Sequence, residues 1–166
     1  LTMNYILNLA LGITVWLATV GYSVAETSFT EIVKEIRPAV VTVVVYDANH
    51  HVSGLGSGFF IDKYGHMITN YHVIDGKYAA EVRTADGNSY PIAMVVADDK
   101  AVDLVKVLVD IPREKIKWIK INEDLPSIAE QIMVVGSPMG LEQTVSEGIV
   151  SSIREIPSVG EFFQMS

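Results

Sequence analysis

The sequence predicts an all-β domain of antiparallel strands, either a barrel or a sandwich, preceded by one short helix. Short β-branched and apolar runs recur at regular spacing after residue 38, Gly and Pro turns separate them, and no long helical pattern occurs. The length of 166 residues suits one domain with a real core, and a hydrophobic content of 49% is too high for a disordered chain.

The predicted helix begins after Ser28, because Ser28 and Glu31 have the spacing of a capping box. Apolar residues then repeat at helical spacing until Pro38 ends the pattern. The first strand is predicted over residues 39–46, a β-branched run. Further strands are predicted at residues 58–62, 66–70, 79–85, 90–97, 104–109, 118–121, 131–136, 144–153 and 162–165.

Connections between these strands carry their own signals. Asp86-Gly87 predicts a hairpin whose two turn residues both need positive φ. Residues 110–117 are polar and contain Pro112, so we expect a linker between two β units there. The glycine-rich residues 54–58 precede a strand-like run, whereas a dinucleotide-binding loop must open a helix. They are therefore interpreted as a turn that leads into a strand.

Composition excludes several classes of protein. The chain has no cysteine, which rules out disulfide scaffolds, cysteine nucleophiles, thiolate zinc sites and iron–sulfur clusters. It carries 12 Lys and Arg against 20 Asp and Glu, a net charge of −8, which argues against a nucleic-acid partner.

Residues 1–25 contain no charged side chain and form a separate segment. An apolar stretch ends in Ser23-Val24-Ala25, the small residues that signal peptidase prefers, so a signal peptide cleaved before Glu26 is predicted. The rival is an uncleaved membrane tether through residues 6–25, since the uncharged span is long enough to cross a bilayer. Either alternative places the domain outside the cytoplasm, as a periplasmic or secreted protein.

Three of the four histidines carry no predicted chemistry. His50 and His51 are adjacent, so on a strand they point to opposite faces, and no further ligand follows at metal-binding spacing. A solvated loop pair is predicted instead, and no metal site. His66 begins a strand and is assigned no role.

His72 and Asp103 are the candidate catalytic residues. His72 follows a predicted strand, where a rigid scaffold holds the ring while it stays accessible, as a general base requires. Asp103 enters a strand 31 residues later, and an imidazole N–H is a natural partner for its carboxylate. A structural histidine and a turn aspartate that caps its own loop remain the alternatives.

Several motifs together resemble the trypsin-like serine proteases of the HtrA group, the DegP type. They are Thr-Asn-Tyr-His-Val at residues 69–73, Asp-Leu-Val at 103–105, Gly-Ser-Gly-Phe at 56–59, Gly-Ser-Pro-Met-Gly-Leu at 136–141 and Thr-Val-Ser-Glu-Gly-Ile-Val-Ser at 144–151. The resemblance covers about residues 28–166 in register, and the combined set is far more specific than any single motif.

This resemblance implies a chymotrypsin-like double β-barrel with the site between two six-stranded barrels. Residues 26–166 would form the protease domain, with a complete first barrel at about 38–109 and an incomplete second barrel at about 126–166. His72 would be the general base and Asp103 its orienter. The family nucleophile lies in Gly-Asn-Ser-Gly-Gly, which we expect beyond Ser166, together with the oxyanion hole and specificity pocket. Ser57 and Ser137 are interpreted as turn residues.

The leading functional hypothesis is an exported serine endopeptidase that acts on unfolded or extended polypeptides in protein quality control, without metal or organic cofactor. The resemblance further implies a homotrimer, an activation-sensitive loop at residues 155–161 and, often, a C-terminal PDZ domain. The rival hypothesis is a catalytically inactive, protease-like module that binds extended peptides through open strand edges.

Overall fold

In the residues that the structure describes, the strands form a closed six-stranded barrel and a separate three-stranded sheet. The computed structural model describes residues 28–136, 144–157 and 160–166. The predictions for residues 1–25 and for Ser137 lie outside these ranges. Within them, no helix is both long enough and apolar enough to span a membrane.

The elements follow one another from the N-terminal helix to the second sheet. They are α1 (Phe29–Ile36), β1 (Val40–Tyr46), β2 (Val52–Phe60), β3 (His66–Asn70), α2 (Tyr71–Ile74), β4 (Ala79–Arg83), β5 (Ser89–Asp99), β6 (Leu104–Val109), β7 (Gln131–Gly136), β8 (Thr144–Ile156) and β9 (Gly160–Met165). The barrel order is β1-β2-β3-β6-β5-β4, and the second sheet is β7-β8-β9. All strand pairs are antiparallel.

The predicted capping box at the start of α1 is confirmed. The Ser28 hydroxyl accepts the Glu31 N–H at 3.3 Å, and the Glu31 carboxylate accepts the Ser28 N–H at 3.3 Å. Pro38 lies in a 3₁₀ turn, Arg37–Ala39, that follows the helix directly. Because Pro fixes φ and lacks an N–H, it ends α1 where the sequence predicts.

β-branched residues of β1 and β6 form a large part of the barrel core. Val41, Val43 and Val45 alternate along β1 and are almost fully buried, and they pack with Val105 and Val107 of β6. Alternation with period two places these side chains on one face, which closes into the barrel interior.

The interpretation of the glycine-rich segment as a turn is wrong, because residues 54–58 lie inside β2, which begins at Val52. Gly54, Gly56 and Gly58 alternate, so they share one face of the strand. A Cβ atom at Gly58 would lie 2.9 Å from the Met67 sulfur. At Gly56 it would lie 2.7 Å from the Val73 methyl groups, and at Gly54 it would lie 3.1 Å from Val45 Cγ2. The glycines are there because neighbouring core side chains occupy the space that a Cβ would need.

One further prediction is wrong, and another is confirmed only in part. Residues 118–121 are not a strand: Ile119 N–H donates to Phe60 O at 2.9 Å, but no ladder of such bonds forms. The hairpin predicted at Asp86-Gly87 is confirmed, because β4 and β5 pair antiparallel across it. Its turn is longer than two residues, with the Thr84 N–H bonded to Asn88 O at 3.0 Å, and of the two turn residues only Gly87 has a positive φ (82°). Asp86 instead accepts hydrogen bonds from its loop neighbours, which is how the longer turn is held.

The segment after β6 connects the barrel to the second sheet, as predicted, but it is packed rather than free. Ile111 and Ile116 join the barrel core, and a short 3₁₀ turn, Arg113–Lys115, lies between them. In the second sheet, β8 and β9 are longer than predicted and meet in a hairpin over residues 155–161, of which 158 and 159 lie outside the described ranges.

Candidate active site

His72 lies on a one-turn helix at the exit of a barrel strand. β3 ends at Asn70, and α2 follows without a break. Val73 of α2 is buried in the barrel core, which anchors the turn. The side chain of His72 points away from that core and is 72% exposed. The fold therefore fixes the backbone of this histidine while its ring remains accessible.

Asp103 stands where the chain enters β6 and has a left-handed backbone conformation (φ 56°), which Asp tolerates better than most residues. Its carboxylate makes two hydrogen bonds with His72. The Oδ1 atom accepts the His72 backbone N–H at 2.9 Å, and the Oδ2 atom lies 2.6 Å from Nδ1 of the ring. The structure thus brings together the two residues that the sequence analysis singled out.

This contact fixes the charge and the tautomer of the pair. The backbone N–H of His72 and, after it, the ring hydrogen bond hold the pKa of the Asp103 carboxyl below its ordinary value. An ionised carboxylate is an acceptor only, so the neutral ring must carry its proton on Nδ1. The lone pair of Nε2 is then free to accept a proton from a reacting group.

A second histidine–aspartate pair provides an internal comparison. His66 Nδ1 lies 2.6 Å from Asp62 Oδ2, the same distance as in the first pair. Burial raises the pKa of Asp62. The hydrogen bonds from the His66 ring and from the Tyr64 and His66 backbone together lower this pKa by more, so it lies below its ordinary value. The two residues are four apart, and the His66 side chain is only 27% exposed. The Asp62–His66 contact joins two residues of one loop. The Asp103–His72 contact joins segments 31 residues apart and leaves the His72 ring exposed.

Residues around the His72 pair include three that the sequence analysis missed. The Asn70 side-chain amide donates to Asp103 O at 3.1 Å. The Tyr71 hydroxyl donates to Asp75 Oδ1 at 2.9 Å, and the Lys100 ammonium lies 4.8 Å from the centre of the Tyr71 ring. A hydrogen bond with Tyr71 raises the pKa of Lys100. The only sequence signal for these residues is their position beside His72 and Asp103.

The remaining candidates lie elsewhere. His50 and His51 are in the exposed β1–β2 loop, where His50 packs edge-on to Tyr78 with ring centroids 5.3 Å apart. Ser57, interpreted from the sequence as a turn residue, is inside β2, where its carbonyl accepts the Thr69 hydroxyl at 2.8 Å. In the described part of the chain, no group of three or more His, Asp or Glu could hold a metal ion.

Among the concave regions in the described part of the chain, two lie beside the second sheet. A cavity of about 200 Å³ separates the barrel from the second sheet and has Asn70, Leu104 and Val135 among its lining residues. A larger groove of about 410 Å³ lies between α1 and the β7–β8 hairpin, and neither His72 nor Asp103 lines it. His72 and Asp103 do not line the smaller cavity either, but Asn70 and Leu104, which lie two residues before His72 and directly after Asp103, do.

A barrel that presents an exposed histidine bonded to an aspartate is the arrangement of a trypsin-like peptidase. Residues 56–166 match the family described as the trypsin-like peptidase domain, and the chain belongs to that family. Within it, relatives that this chain matches include proteins with HTRA1 and DegP-like names, which confirms the resemblance in the sequence. Protease Do-like 1, chloroplastic, of Arabidopsis thaliana is 37% identical over 103 residues, which are 61% of this chain and 23% of that protein.

Two further comparisons agree with this assignment. Serine protease HTRA1A of Danio rerio is 32% identical over 130 residues, 75% of this chain and 27% of that protein. The crystal structure of the serine endoprotease from Yersinia pestis superposes with a TM-score of 0.67 at 31% identity, covering 76% of this chain and 45% of that one. The predicted chymotrypsin-like fold is confirmed. The chain spans about a quarter of the length of these curated relatives.

Proposed function

We propose that the intact protein is an exported serine-type endopeptidase that cleaves unfolded or extended polypeptides in protein quality control. The observation that carries this proposal is the His72–Asp103 pair, with its 2.6 Å contact and exposed ring, in a chain of the trypsin-like peptidase family. We propose residues 26–166 as the protease domain, with the first barrel at about 38–109 and the second beginning near residue 126.

In the proposed mechanism, His72 is the general base and Asp103 its orienter. The Nε2 atom removes the proton from a serine hydroxyl as the hydroxyl attacks the peptide carbonyl, and it later returns that proton to the leaving amine. Asp103 holds the ring in the Nδ1–H tautomer and stabilises the imidazolium that forms. The nucleophile is proposed to lie beyond Ser166, in a Gly-Asn-Ser-Gly-Gly motif.

Support for a distant nucleophile comes from the surroundings of His72. Its hydrogen bonds run from the backbone N–H and from Nδ1, both to Asp103. In the described residues, no serine hydroxyl is bonded to the ring. Ser57, the serine nearest the motif in sequence, belongs to β2, where it pairs with Thr42 of β1 and its carbonyl accepts the Thr69 hydroxyl.

The proposed location is outside the cytoplasm. The apolar residues 6–25 would export the protein and either be removed before Glu26 or remain as a tether. A relative from Marinomonas sp., 38% identical over 108 residues, is named a probable periplasmic serine endoprotease, DegP-like. Intact mass of the mature protein distinguishes the two fates, because cleavage removes 25 residues. A homotrimer is proposed on the family resemblance alone.

The test uses the full-length protein and β-casein as an unfolded substrate. We expect His72→Ala to lower kcat about 10⁴-fold or more, because the reaction then lacks its base. Asp103→Asn should cost about 10⁴-fold, because an amide favours the wrong tautomer. His66→Ala is the matched control, since it removes a histidine with the same 2.6 Å contact to an aspartate outside the proposed site.

Full activity in His72→Ala would refute the proposal, as would an equal loss of activity in His66→Ala. Folding of each variant is checked by its melting temperature. The expected pattern is loss of turnover without unfolding in the two site variants, and retained turnover in the control.

A second candidate is a protease-like module that binds extended peptides without cutting them. The observation that favours it is the second sheet, where β9 exposes Phe162, Phe163 and Met165. Within the described residues, β9 pairs with β8 alone and leaves its other edge open. Binding of fluorescein-labelled casein, followed by anisotropy without any release of fragments, would favour this candidate over the peptidase.

A further inference from the structure

Asn70 occupies the N-cap position of α2 but does not cap that helix with its own side chain. An Asn at this position usually accepts a backbone N–H from the first turn of its own helix. Here the corresponding N–H, that of His72, is bonded to Asp103 Oδ1 at 2.9 Å. The Asn70 amide is turned the other way and donates to Asp103 O at 3.1 Å. The side chain of Asp103, from a distant segment, therefore caps α2 in place of Asn70, and the Asn70 side chain bonds the backbone of Asp103.

The backbone of Asp103 requires this support. Its φ of 56° lies in a region that non-glycine residues occupy rarely and keep only when their surroundings hold them. The Asp103 N–H makes only a long bond, 3.4 Å, to Lys100 O. The Asp103 carbonyl is held by two donors, the Tyr71 N–H at 3.0 Å and the Asn70 amide. Both donors stand at the start of the helix that carries His72.

We propose that Asn70 is a positioning residue for the histidine–aspartate pair. By holding the Asp103 carbonyl, it keeps Asp103 in the left-handed conformation from which both carboxylate oxygens reach His72. The inference rests on the proposed function, because the value of that orientation to the protein is catalytic. Asn70 does not contact the reacting atoms in this scheme, and its effect passes through Asp103 to Nδ1 of the ring.

The alternative is that Asn70 only stabilises the junction between β3 and α2. A purely structural role predicts a lower melting temperature with unchanged chemistry. A positioning role predicts a lower kcat with little change in KM, because the hydrogen bond acts on the base and not on substrate binding. The split between the two kinetic constants therefore distinguishes the roles.

The experiment compares Asn70→Leu, which keeps the shape but lacks a donor, with Asn70→Gln, which keeps the amide, in the full-length protein. Asn88→Leu is the matched control, because the Asn88 amide also donates to an aspartate, Asp86 Oδ2 at 2.7 Å, in the remote β4–β5 loop. We expect Asn70→Leu to lower kcat about tenfold with KM within about twofold. Asn70→Gln should recover part of that loss, and Asn88→Leu should not change kcat.

A spectroscopic measurement accompanies the kinetics. The Nδ1 proton of His72, bonded to Asp103, gives a low-field proton NMR signal, which we expect to broaden or move upfield in Asn70→Leu and to persist in Asn88→Leu. If Asn70→Leu does not fold, Asn70→Ala is measured in the same way with the same expectation. Wild-type kcat together with an unchanged signal in the donor-less variant would overturn the inference.

Failure of the inference differs from failure of the proposed function. If His72→Ala is inactive while Asn70→Leu has wild-type kcat and an unchanged proton signal, the inference alone is wrong. If the wild-type protein cleaves nothing, the proposed function is wrong, and the NMR measurement still decides whether Asn70 orients the pair.

Discussion

Replacing Gly56 by alanine is expected to disturb His72, although Gly56 lies in β2 and not in the candidate site. A Cβ atom at this position would lie 2.7 Å from each of the two Val73 methyl groups. Carbon atoms pack at about 3.5–4.0 Å, so each contact would be about 0.8–1.3 Å too short. Val73 is only 9% exposed and cannot turn into solvent. Since Val73 follows His72 on α2, relieving the overlap must move that helix.

The magnitude follows from two general effects. Overpacking of this kind in a closed core costs about 1–3 kcal/mol of unfolding free energy. A displacement of about 1 Å at a catalytic group can cost about 100-fold in rate. Gly54→Ala is the matched control, because its Cβ would meet one methyl group, Val45 Cγ2, at the milder distance of 3.1 Å and would not touch α2.

The assay is thermal melting together with kcat for casein cleavage by the full-length protein. Gly56→Ala should lose both stability and kcat, whereas Gly54→Ala should lose less stability and retain kcat. The double variant Gly56→Ala/Val73→Ala should be more stable than the sum of its single effects predicts, because the smaller side chain makes room for the new methyl group. Additive effects, or equal losses in the two glycine variants, would refute this reasoning.

Four other predictions concern the acid side of the pH range and the local supports of the fold. The pKa of Asp103 should lie below its ordinary value, so its contact with His72 persists throughout the ordinary range of a carboxyl group and is lost only as the pH falls through the lower folded-state pKa; carboxyl ¹³C NMR measures it. In His72→Ala this pKa should rise only part of the way, because the largest cause of its decrease is the backbone N–H; a complete return to the ordinary value would contradict this account. Ser28→Ala should cost about 1 kcal/mol in denaturant unfolding through loss of the helix cap, and no change would argue against the capping box. Gly65→Ala should cost more than Ser28→Ala in the same measurement, because φ is 92° and the new Cβ would lie 2.8 Å from Val109 O; a smaller cost would show that the backbone relaxes freely.

The sequence predicts most elements whose boundaries coincide with strong local signals. β3, β6 and β7 have the predicted bounds, since each is a short, mostly apolar run. β2 could not be delimited in this way, because its glycines favour a turn locally. They form a strand only because β1 and β3 lie on either side and core side chains fill the space.

The pairing of His72 with Asp103 could be predicted because both stand at the ends of predicted strands. The role of Asn70 could not, since an N-cap residue is expected to bond its own helix and the partner is 33 residues away. The His66–Asp62 pair was also missed, although its spacing of four residues is visible in the sequence. A short histidine–aspartate distance is therefore not enough to mark a site. Exposure of the ring and a partner from a distant segment are what distinguish His72.

The central claim is that His72 activates a serine that follows Ser166. The most direct measurement is to label the full-length protein with a fluorophosphonate and to locate the adduct by peptide mass spectrometry. The account predicts one adduct, on the serine of a Gly-Asn-Ser-Gly-Gly motif beyond Ser166, that disappears in His72→Ala and persists in His66→Ala. An adduct on a serine within residues 28–166, or labelling that does not depend on His72, would contradict it.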